Sequence, residues 1–202
     1  MVSERCTYTT VDGLDATGKS TLIKRLSDEA NVVCVKSPPQ WMNGLRKVFD
    51  SLNANIRFHF YALGNLWIDR YLIKPLINDT NFSGFIVQDR SWLSTFSAHE
   101  LRKTDPDLLQ KGLQYARKST EPNLSLIIHV DREERLRRLY GRNFITNIDK
   151  ENIKFEEKME EGYFNWGRKL GWNTIVFNNT EKDINQAYLR LKEIIFSSYQ
   201  QN

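Results

Sequence analysis

Cysteine is scarce in this sequence, in which Cys6 and Cys34 are the two among 202 residues. Two cysteines do not build a disulfide framework, and their separation is not that of a zinc-binding pair. Because each lies in a short strand-like run, we expect buried, reduced thiols and a reducing compartment. The N-terminus lacks the basic, apolar and small-residue regions of a secretory signal, so we predict a cytoplasmic location and leave an organelle open.

Long hydrophobic runs and blocks of like charge are also missing. No segment approaches the roughly 18 consecutive apolar residues of a membrane-spanning helix, so we predict no membrane association. The formal net charge is +4 at pH 7, but the lysines and arginines are scattered. A scattered positive charge argues against a nucleic-acid partner and favours a small anionic ligand. The three histidines show no metal-ligand spacing.

Short apolar segments alternate with longer amphipathic ones along the chain. The short segments predict five strands, at residues 6–12, 31–36, 84–89, 124–131 and 173–179. The longer segments predict helices, at residues 19–30, 43–52, 57–77, 105–119, 132–141, 150–170 and 183–198. This alternation predicts an α/β fold, a parallel sheet covered by helices on both faces. No repeat or linker interrupts it, so we expect a single domain over residues 1–202.

The most specific motif lies between the first predicted strand and the first predicted helix. Residues 13–20 read GLDATGKS and fit the P-loop pattern G-x-x-x-x-G-K-[ST]. Glycines let backbone N–H groups surround phosphate oxygens, the helix adds its positive end, and the lysine ammonium reaches the outer phosphates. We therefore predict a site for ATP and magnesium, with Ser20 as a metal ligand. The predicted nucleotide-binding residues are Gly13, Asp15, Ala16, Thr17, Gly18, Lys19, Ser20 and Thr21.

Charged residues at other element ends predict the acceptor side. Asp89 and Arg90 follow the third strand, at the edge where open parallel sheets bind ligands. An aspartate there holds magnesium through water, and an arginine clamps a second phosphate. Arg46, after the second strand, is a further candidate for that clamp. Among the arginines of residues 132–143, we favour Arg138 and Arg142 for a loop that closes on the transferring phosphoryl group.

Five segments in order carry a family resemblance: GLDATGKST, VKSPPQW, FYALGN, DRSWLSTFSA and EERLRRLYGRN. Together they resemble the thymidylate kinase superfamily of P-loop nucleoside monophosphate kinases, and most closely its mitochondrial-type UMP/CMP kinase branch. The likeness runs from about Thr7 to Ile195. It implies a P-loop NTPase fold with a five-stranded parallel sheet, a small lid at about residues 138–152, and a homodimer.

The resemblance also implies roles for individual residues. It assigns Lys19 and Ser20 to ATP and magnesium, Asp15 to the acceptor sugar, and Arg46 and Arg90 to the acceptor phosphate. The predicted substrate-binding set is completed by Tyr61, from an aromatic cluster, and Asn65 of the GN pair. The predicted catalytic residues are Lys19, Arg90, Arg138 and Arg142.

Some positions depart from the family pattern. Thymidylate kinases carry an arginine and an aromatic residue that read thymine, where this chain has Leu66 and Ala62. The acceptor therefore stays open among dTMP, dUMP, dCMP, UMP and CMP. Relatives with a P-loop arginine have it where this chain has Ala16, which by the family's logic moves the catalytic arginine onto the lid.

Two other functions fit a P-loop chain of this class. Deoxynucleoside kinases share the fold and place a carboxylate base just after the second strand, to activate a neutral 5′-hydroxyl. This chain has KSPPQW there, with no carboxylate between Val35 and Asp50. A monophosphate is already an anionic nucleophile and needs arginines instead, so the sequence favours a nucleoside monophosphate kinase. A non-catalytic nucleotide-binding module is the second alternative.

Overall fold

The computed structural model describes residues 6–141, 153–180 and 183–197. Within them, five parallel strands form one sheet in the order β2-β3-β1-β4-β5. The strands are β1 (Cys6–Asp12), β2 (Val32–Lys36), β3 (Gly84–Asp89), β4 (Leu124–His129) and β5 (Thr174–Asn178). The predicted α/β fold with five parallel strands is confirmed, and each strand lies within two residues of its predicted bounds.

Nine α-helices and a short 3₁₀ helix, Gln40–Met42, have their bounds in these ranges. The α-helices are α1 (Lys19–Leu26), α2 (Asn43–Asp50), α3 (Ala54–Ile68), α4 (Lys74–Asn78), α5 (Trp92–Leu101), α6 (Pro106–Lys118), α7 (Arg132–Tyr140), α8 (Glu156–Leu170) and α9 (Ile184–Ser197). A π-helical turn, Asp69–Ile73, joins α3 to α4, so the segment predicted as one helix has three parts. None of these helices is long and apolar enough to cross a membrane.

Helix α5 is absent from the sequence prediction. Its buried residues fall on almost every side of the helix: Trp92, Leu93, Thr95, Phe96, Ser97 and His99. A helix enclosed in this way has no polar face, so it lacks the three- and four-residue alternation that identifies amphipathic helices. It packs mainly against α8, where Gly162 permits close approach to Ser97.

Both faces of the sheet are covered. On one face, Val87 and Leu126 pack with Leu22 of α1 and Ile195 of α9. On the other, Ile127 belongs to an aromatic-rich core built by α3, α5, α6 and α8. Because strand side chains alternate between faces, two covered faces explain why β3 and β4 are mainly apolar. The central strand β1 instead carries three buried threonines, Thr7, Thr9 and Thr10.

The two cysteines are free thiols that are partly rather than fully buried. Cys6 is the first residue of β1, and Cys34 lies on the edge strand β2, which has a neighbour on one side only. These positions explain why burial is less complete than the apolar runs predicted. Burial still raises the pKa of both thiols to about 11, so they stay protonated at neutral pH.

The strand register brings the ends of β1, β2 and β3 together. Val11 of β1 and Lys36 of β2 both pair with Asp89, the last residue of β3. The backbone N–H of Arg90 then donates to Val11 O at 3.1 Å. The loops that leave these three strands therefore share one edge of the sheet, which is where ligands bind in open parallel sheets.

Candidate active site

The P-loop conformation depends on its two glycines. Gly13 has φ 136° and Gly18 has φ 86°, both in the region that favours glycine. A Cβ on Gly13 would lie 2.4 Å from Ile128 O, and one on Gly18 would lie 2.5 Å from Asn179 Nδ2. A side chain at position 13 would collide with backbone, and one at position 18 would displace the Asn179 side chain and be strained by its positive φ. The motif spacing therefore reflects steric necessity as well as phosphate chemistry.

Lys19, the first residue of α1, is 5% exposed and lies within the loop. Its Nζ donates to Gly13 O at 2.8 Å, to Leu14 O at 2.5 Å and to Thr17 Oγ1 at 3.3 Å. Burial, with a smaller contribution from Arg90, lowers the pKa of Lys19 to about 7. A buried ammonium of this kind gains strongly from an approaching anion, because little water screens the interaction.

One cavity of about 340 Å³ joins the two predicted halves of the site. This volume is within the range of small-molecule sites. It is lined by most of the predicted site residues: Asp15, Ala16, Thr17, Gly18, Lys19, Ser20, Thr21, Arg46, Tyr61, Asp89 and Arg90. Sequence segments up to 75 residues apart along the chain thus meet around one space. Gly13, Asn65 and Arg138 do not line it, and Arg142 lies outside the described residues, as do residues 142–152 of the predicted lid.

Arg90 bridges the two halves of the cavity. Its Nη1 donates to Gly13 O at 3.0 Å, and its Nη2 donates to Asp15 Oδ1 at 2.5 Å. Burial alone would lower the pKa of Arg90, but nearby carboxylates, chiefly Asp15, outweigh burial and raise the pKa. Arg90 also has φ 69°, a left-handed conformation that is rare for a residue with a side chain. Such strain concentrates at functional sites, in line with the predicted role.

Arg46 belongs to a polar cluster on the acceptor side. Its Nε donates to Tyr61 Oη at 3.1 Å, and Tyr61 Oη donates to Asp50 Oδ1 at 2.8 Å. Arg57 Nε donates to the same carboxylate oxygen at 3.1 Å. The Arg46 side chain is 48% exposed, so it has room to move onto a ligand. The cluster leaves Arg46 tethered at the cavity by its neighbours on α2 and α3.

The cavity lining includes residues that the sequence analysis did not assign to the site, among them Arg57, His99 and Arg102. Arg57 and Tyr61 are one turn apart on α3, so the helical spacing could have indicated that both face the same space. His99 and Arg102 stand at the end of the unpredicted helix α5, for which the sequence offered no signal. Burial lowers the pKa of His99 to about 4, so its ring is neutral at physiological pH.

Asp89 and Ser20 are the predicted magnesium ligands. Asp89 Oδ2 lies 3.2 Å from Lys36 Nζ. Its Oδ1 is buried and has no hydrogen-bond partner among the described residues. A carboxylate oxygen and a hydroxyl are hard donors of the type that Mg²⁺ prefers, so the residues present fit the ion. The described residues hold no cluster of three histidine, cysteine or acidic side chains, so the other ligands would come from phosphates and water.

Asp12 is a buried carboxylate that the sequence analysis did not single out. It accepts four hydrogen bonds from the start of α5: from Ser91 N at 2.9 Å, Ser91 Oγ at 2.6 Å, Ser94 N at 3.1 Å and Ser94 Oγ at 2.5 Å. An aspartate at a helix N-terminus satisfies N–H groups that lack partners in the helix. Asp12 thereby joins the end of β1 to the segment that carries Arg90.

Arg138 is beside the P-loop rather than in the cavity wall. Its Nε donates to Glu134 at 2.7 Å and its Nη2 to Asn179 O at 3.0 Å. Its Nη1 lies 3.7 Å from the place that a Cβ on Gly18 would take. Arg135, which the sequence analysis passed over, is 2% exposed and donates to Asp15 O at 3.3 Å. The arginines of α7 therefore approach the P-loop from two directions.

Asn65 is buried behind the cavity wall. Its Nδ2 donates to Thr95 Oγ1 at 2.8 Å and to Tyr61 O at 3.1 Å. Both of these neighbours line the cavity, whereas Asn65 does not. The structure thus places Asn65 where it supports the acceptor side, and direct contact with substrate stays a prediction.

Known proteins resemble this chain in sequence. The family model described as thymidylate kinase matches residues 11–188. Human mitochondrial UMP-CMP kinase 2 is 31% identical over 162 residues, which cover 76% of this chain and 35% of the human protein. This chain therefore spans about a third of that relative's length. Thymidylate kinase of Maridesulfovibrio salexigens is 25% identical, with 92% of this chain and 93% of that protein covered.

A solved structure confirms the fold independently. Thymidylate kinase from Candida albicans superposes with a TM-score of 0.69 at 17% identity, covering 96% of this chain and 94% of the other. The family model extends from the end of β1 into α9 and so includes the P-loop, the acceptor arginines and α7. The resemblance read from the sequence motifs is confirmed. The chain belongs to the thymidylate kinase family and is a phosphotransferase.

Proposed function

We propose that this protein transfers the γ-phosphoryl group of ATP to a pyrimidine nucleoside or deoxynucleoside monophosphate and forms the diphosphate. The observation that carries the proposal is the shared cavity, which is lined by the P-loop together with Arg46 and Arg90. Two arginines opposite a triphosphate site are suited to hold a second phosphate. Transfer to a nucleoside monophosphate is the reaction that these two anion sites support together.

The wall at the end of β2 favours a phosphate acceptor over a hydroxyl acceptor. Lys36, Ser37 and Pro38 form this part of the cavity, and they bring no carboxylate to it. A neutral 5′-hydroxyl would need a general base near the point of attack, whereas a monophosphate is already ionised. The two carboxylates in the lining, Asp15 and Asp89, are paired with Arg90 and Lys36.

Catalysis here rests on positioning and charge neutralisation. Lys19 would stabilise charge on the outer phosphates of ATP, and Arg46 and Arg90 would fix the acceptor for in-line attack. Arg138, with Arg142 of the predicted lid, would approach the transferring group from α7. Ser20 and Asp89 would hold magnesium, which neutralises phosphate charge when bound.

The base of the acceptor is a pyrimidine in this proposal, without a commitment to thymine. Ala62 and Leu66 occupy the positions where thymidylate kinases read thymine, and neither residue lines the cavity. Ala62 is buried, and Leu66 packs against the aromatic core. The human relative is named as a UMP-CMP kinase, which supports pyrimidine monophosphates more broadly. We therefore keep dTMP, dUMP, dCMP, UMP and CMP as candidates.

A substrate panel tests this proposal. ADP release with ATP and Mg²⁺ is measured against dTMP, dUMP, dCMP, UMP, CMP, dGMP, dAMP and the corresponding nucleosides. We expect one or two pyrimidine monophosphates to exceed every nucleoside, because the nucleosides lack the group that Arg46 and Arg90 hold. Faster turnover of a nucleoside would favour a deoxynucleoside kinase. ATP binding with no acceptor-dependent turnover would favour a nucleotide-binding module.

We further propose a homodimer, formed through α2 and the outer face of α3. No residue of α2 is buried, although Leu45 and Val48 face outwards at helical spacing and are 49% and 57% exposed. Ile56 and Leu63, two turns apart on α3, are 40% and 55% exposed. Exposed apolar side chains on two helices that contact each other suit an interaction site, and a two-fold pairing of α2 and α3 would cover them.

Val48→Asp is expected to convert this dimer to a monomer, because it would place two desolvated charges in the paired surface. Light scattering coupled to gel filtration measures the mass of the wild type and the variant. Leu189→Asp is the matched control, since Leu189 is 54% exposed on the distant helix α9. A wild-type protein with the mass of one chain would refute the dimer.

The proposed location is the cytoplasm, with an organelle left open. Two free thiols with raised pKa values are compatible with a reducing compartment, where thiols persist unoxidised.

A further inference from the structure

Gln88 is a buried amide directly before the Asp89-Arg90 pair. It lies in β3 and is 2% exposed. Its Nε2 donates to Arg90 O at 2.9 Å and to Asn65 Oδ1 at 3.2 Å. Its Oε1 accepts from Tyr8 Oη at 2.5 Å. All the polar atoms of this amide have partners, which is the condition under which a buried polar network rigidifies its surroundings.

The orientation of this network is fixed by the carbonyl groups at its ends. A backbone carbonyl only accepts, so the Gln88 atom facing Arg90 O is the NH₂ group. Likewise, the Asn65 atom facing Tyr61 O is an NH₂ group, which leaves Asn65 Oδ1 to accept from Gln88. The donors and acceptors therefore run in one direction, from Tyr8 through Gln88 to Asn65.

One branch of the network holds the backbone of Arg90. The left-handed conformation of Arg90, φ 69°, is unfavourable for a residue with a Cβ and needs restraint from its surroundings. Its N–H donates to Val11 O, and its C=O accepts from Gln88. These two hydrogen bonds fix the peptide groups on either side of Arg90, and so the direction in which its guanidinium extends.

The other branch holds the opposite wall of the cavity. Asn65, oriented by Gln88, donates to Thr95 Oγ1 and to Tyr61 O. Thr95 and Tyr61 both line the cavity, and Tyr61 Oη accepts from Arg46. The side chain of Gln88 is thus one hydrogen bond from the backbone of Arg90. It is two hydrogen bonds from Tyr61, which belongs to the cluster that tethers Arg46.

We propose that Gln88 is a positioning residue that fixes the two sides of the acceptor pocket relative to each other, the side of Arg90 and the side of Thr95 and Tyr61. It touches no substrate and acts through Arg90 and Asn65. This inference rests on the proposed function, because it assumes that Arg90 binds the acceptor phosphate. None of the three hydrogen-bond partners of Gln88 belongs to the P-loop, and Gln88 reaches the donor side only indirectly, through the contacts of Arg90 with Gly13 O and Asp15. We therefore expect the larger effect on the acceptor side.

Gln88→Leu tests the proposal by separating acceptor from donor kinetics. We expect the KM for the acceptor monophosphate to rise about tenfold, the effect of about one lost hydrogen bond on a bound charge, and the KM for ATP to stay within about twofold. Thr9→Val is the matched control: Thr9 lies fully buried in β1, and its hydroxyl has no described partner. A merely structural role would lower stability and active fraction while leaving both KM values unchanged, which would overturn the proposal.

A double-mutant cycle with Arg90→Ala locates the effect. If Gln88 acts through Arg90, the acceptor KM penalty of Gln88→Leu shrinks at least about threefold in the Arg90→Ala background. An equal rise in the acceptor KM in both backgrounds would show that Gln88 does not act through Arg90.

If Gln88→Leu does not fold, Tyr8→Phe is the second variant, because it loosens the same amide. It is expected to raise the acceptor KM about threefold. If Arg90→Ala alone leaves the acceptor kinetics unchanged, the proposed function fails. If Arg90→Ala changes the acceptor kinetics but Gln88→Leu does not, only this inference about Gln88 fails.

Discussion

Lys19→Ala is expected to lower kcat at least about hundredfold, because removal of a preorganised charge donor from a transition state costs ~10² to 10³ in rate. The Nζ of Lys19 is held inside the P-loop by backbone carbonyls, where little water screens it. When ATP binds, the ammonium would exchange these loop contacts for the outer phosphates, so that its charge is in place before the reaction. Steady-state ADP release with the preferred acceptor measures the loss, and Lys24→Ala, an exposed change in the same helix, is the control.

The same substitution is expected to leave the fold intact. Burial disfavours the Lys19 ammonium and lowers its pKa to about 7, so removal of the side chain relieves a desolvation cost. Both carbonyls that it contacts keep another donor: Gly13 O accepts from Arg90 Nη1, and Leu14 O accepts from Thr17 Oγ1. Thermal unfolding should give a Tm equal to or above that of the wild type. Near-wild-type turnover in a folded variant would contradict the assignment of Lys19.

The sequence predicted the sheet well for a physical reason. The strands are short segments rich in apolar and β-branched residues, and each is bounded by polar or turn-forming residues, so the pattern is visible without knowledge of the neighbours. The P-loop was equally visible, because its glycines are required locally by φ values and by close backbone approach. Helix α5 shows the limit of this reasoning, since its burial on nearly all sides depends on α8 and α3, which are distant in sequence.

The candidate site was predictable only where a residue type carries its own chemistry. Arg90 and Arg46 follow strand ends, where charge suggests a ligand. Asp12 and Gln88, by contrast, depend on hydrogen bonds to partners such as Ser91 and Asn65, which are more than twenty residues away. Their residue types are ordinary for a strand end or a buried network. Arg102 was likewise hidden, because its approach to the cavity depends on where α5 ends.

Arg90→Ala is expected to lower kcat/KM for the acceptor monophosphate about hundredfold or more, as the loss of a buried charged partner costs about 2 to 5 kcal/mol. Arg90 lies where the P-loop, Asp15 and the acceptor side meet, and its raised pKa keeps it charged at every working pH. Varying the acceptor at saturating ATP measures the effect. Arg168→Ala, an exposed change on α8, is the control and should be silent.

Arg90→Gly distinguishes the loss of the guanidinium from relief of backbone strain. Alanine keeps a Cβ and with it the cost of φ 69°, whereas glycine adopts this conformation freely. The glycine variant should therefore be more stable than the alanine variant by about 1 kcal/mol, and equally impaired toward the acceptor. Denaturant unfolding compares the stabilities. Recovery of acceptor kinetics in Arg90→Gly would mean that the backbone conformation, rather than the charge, serves the reaction, because only the former survives the substitution.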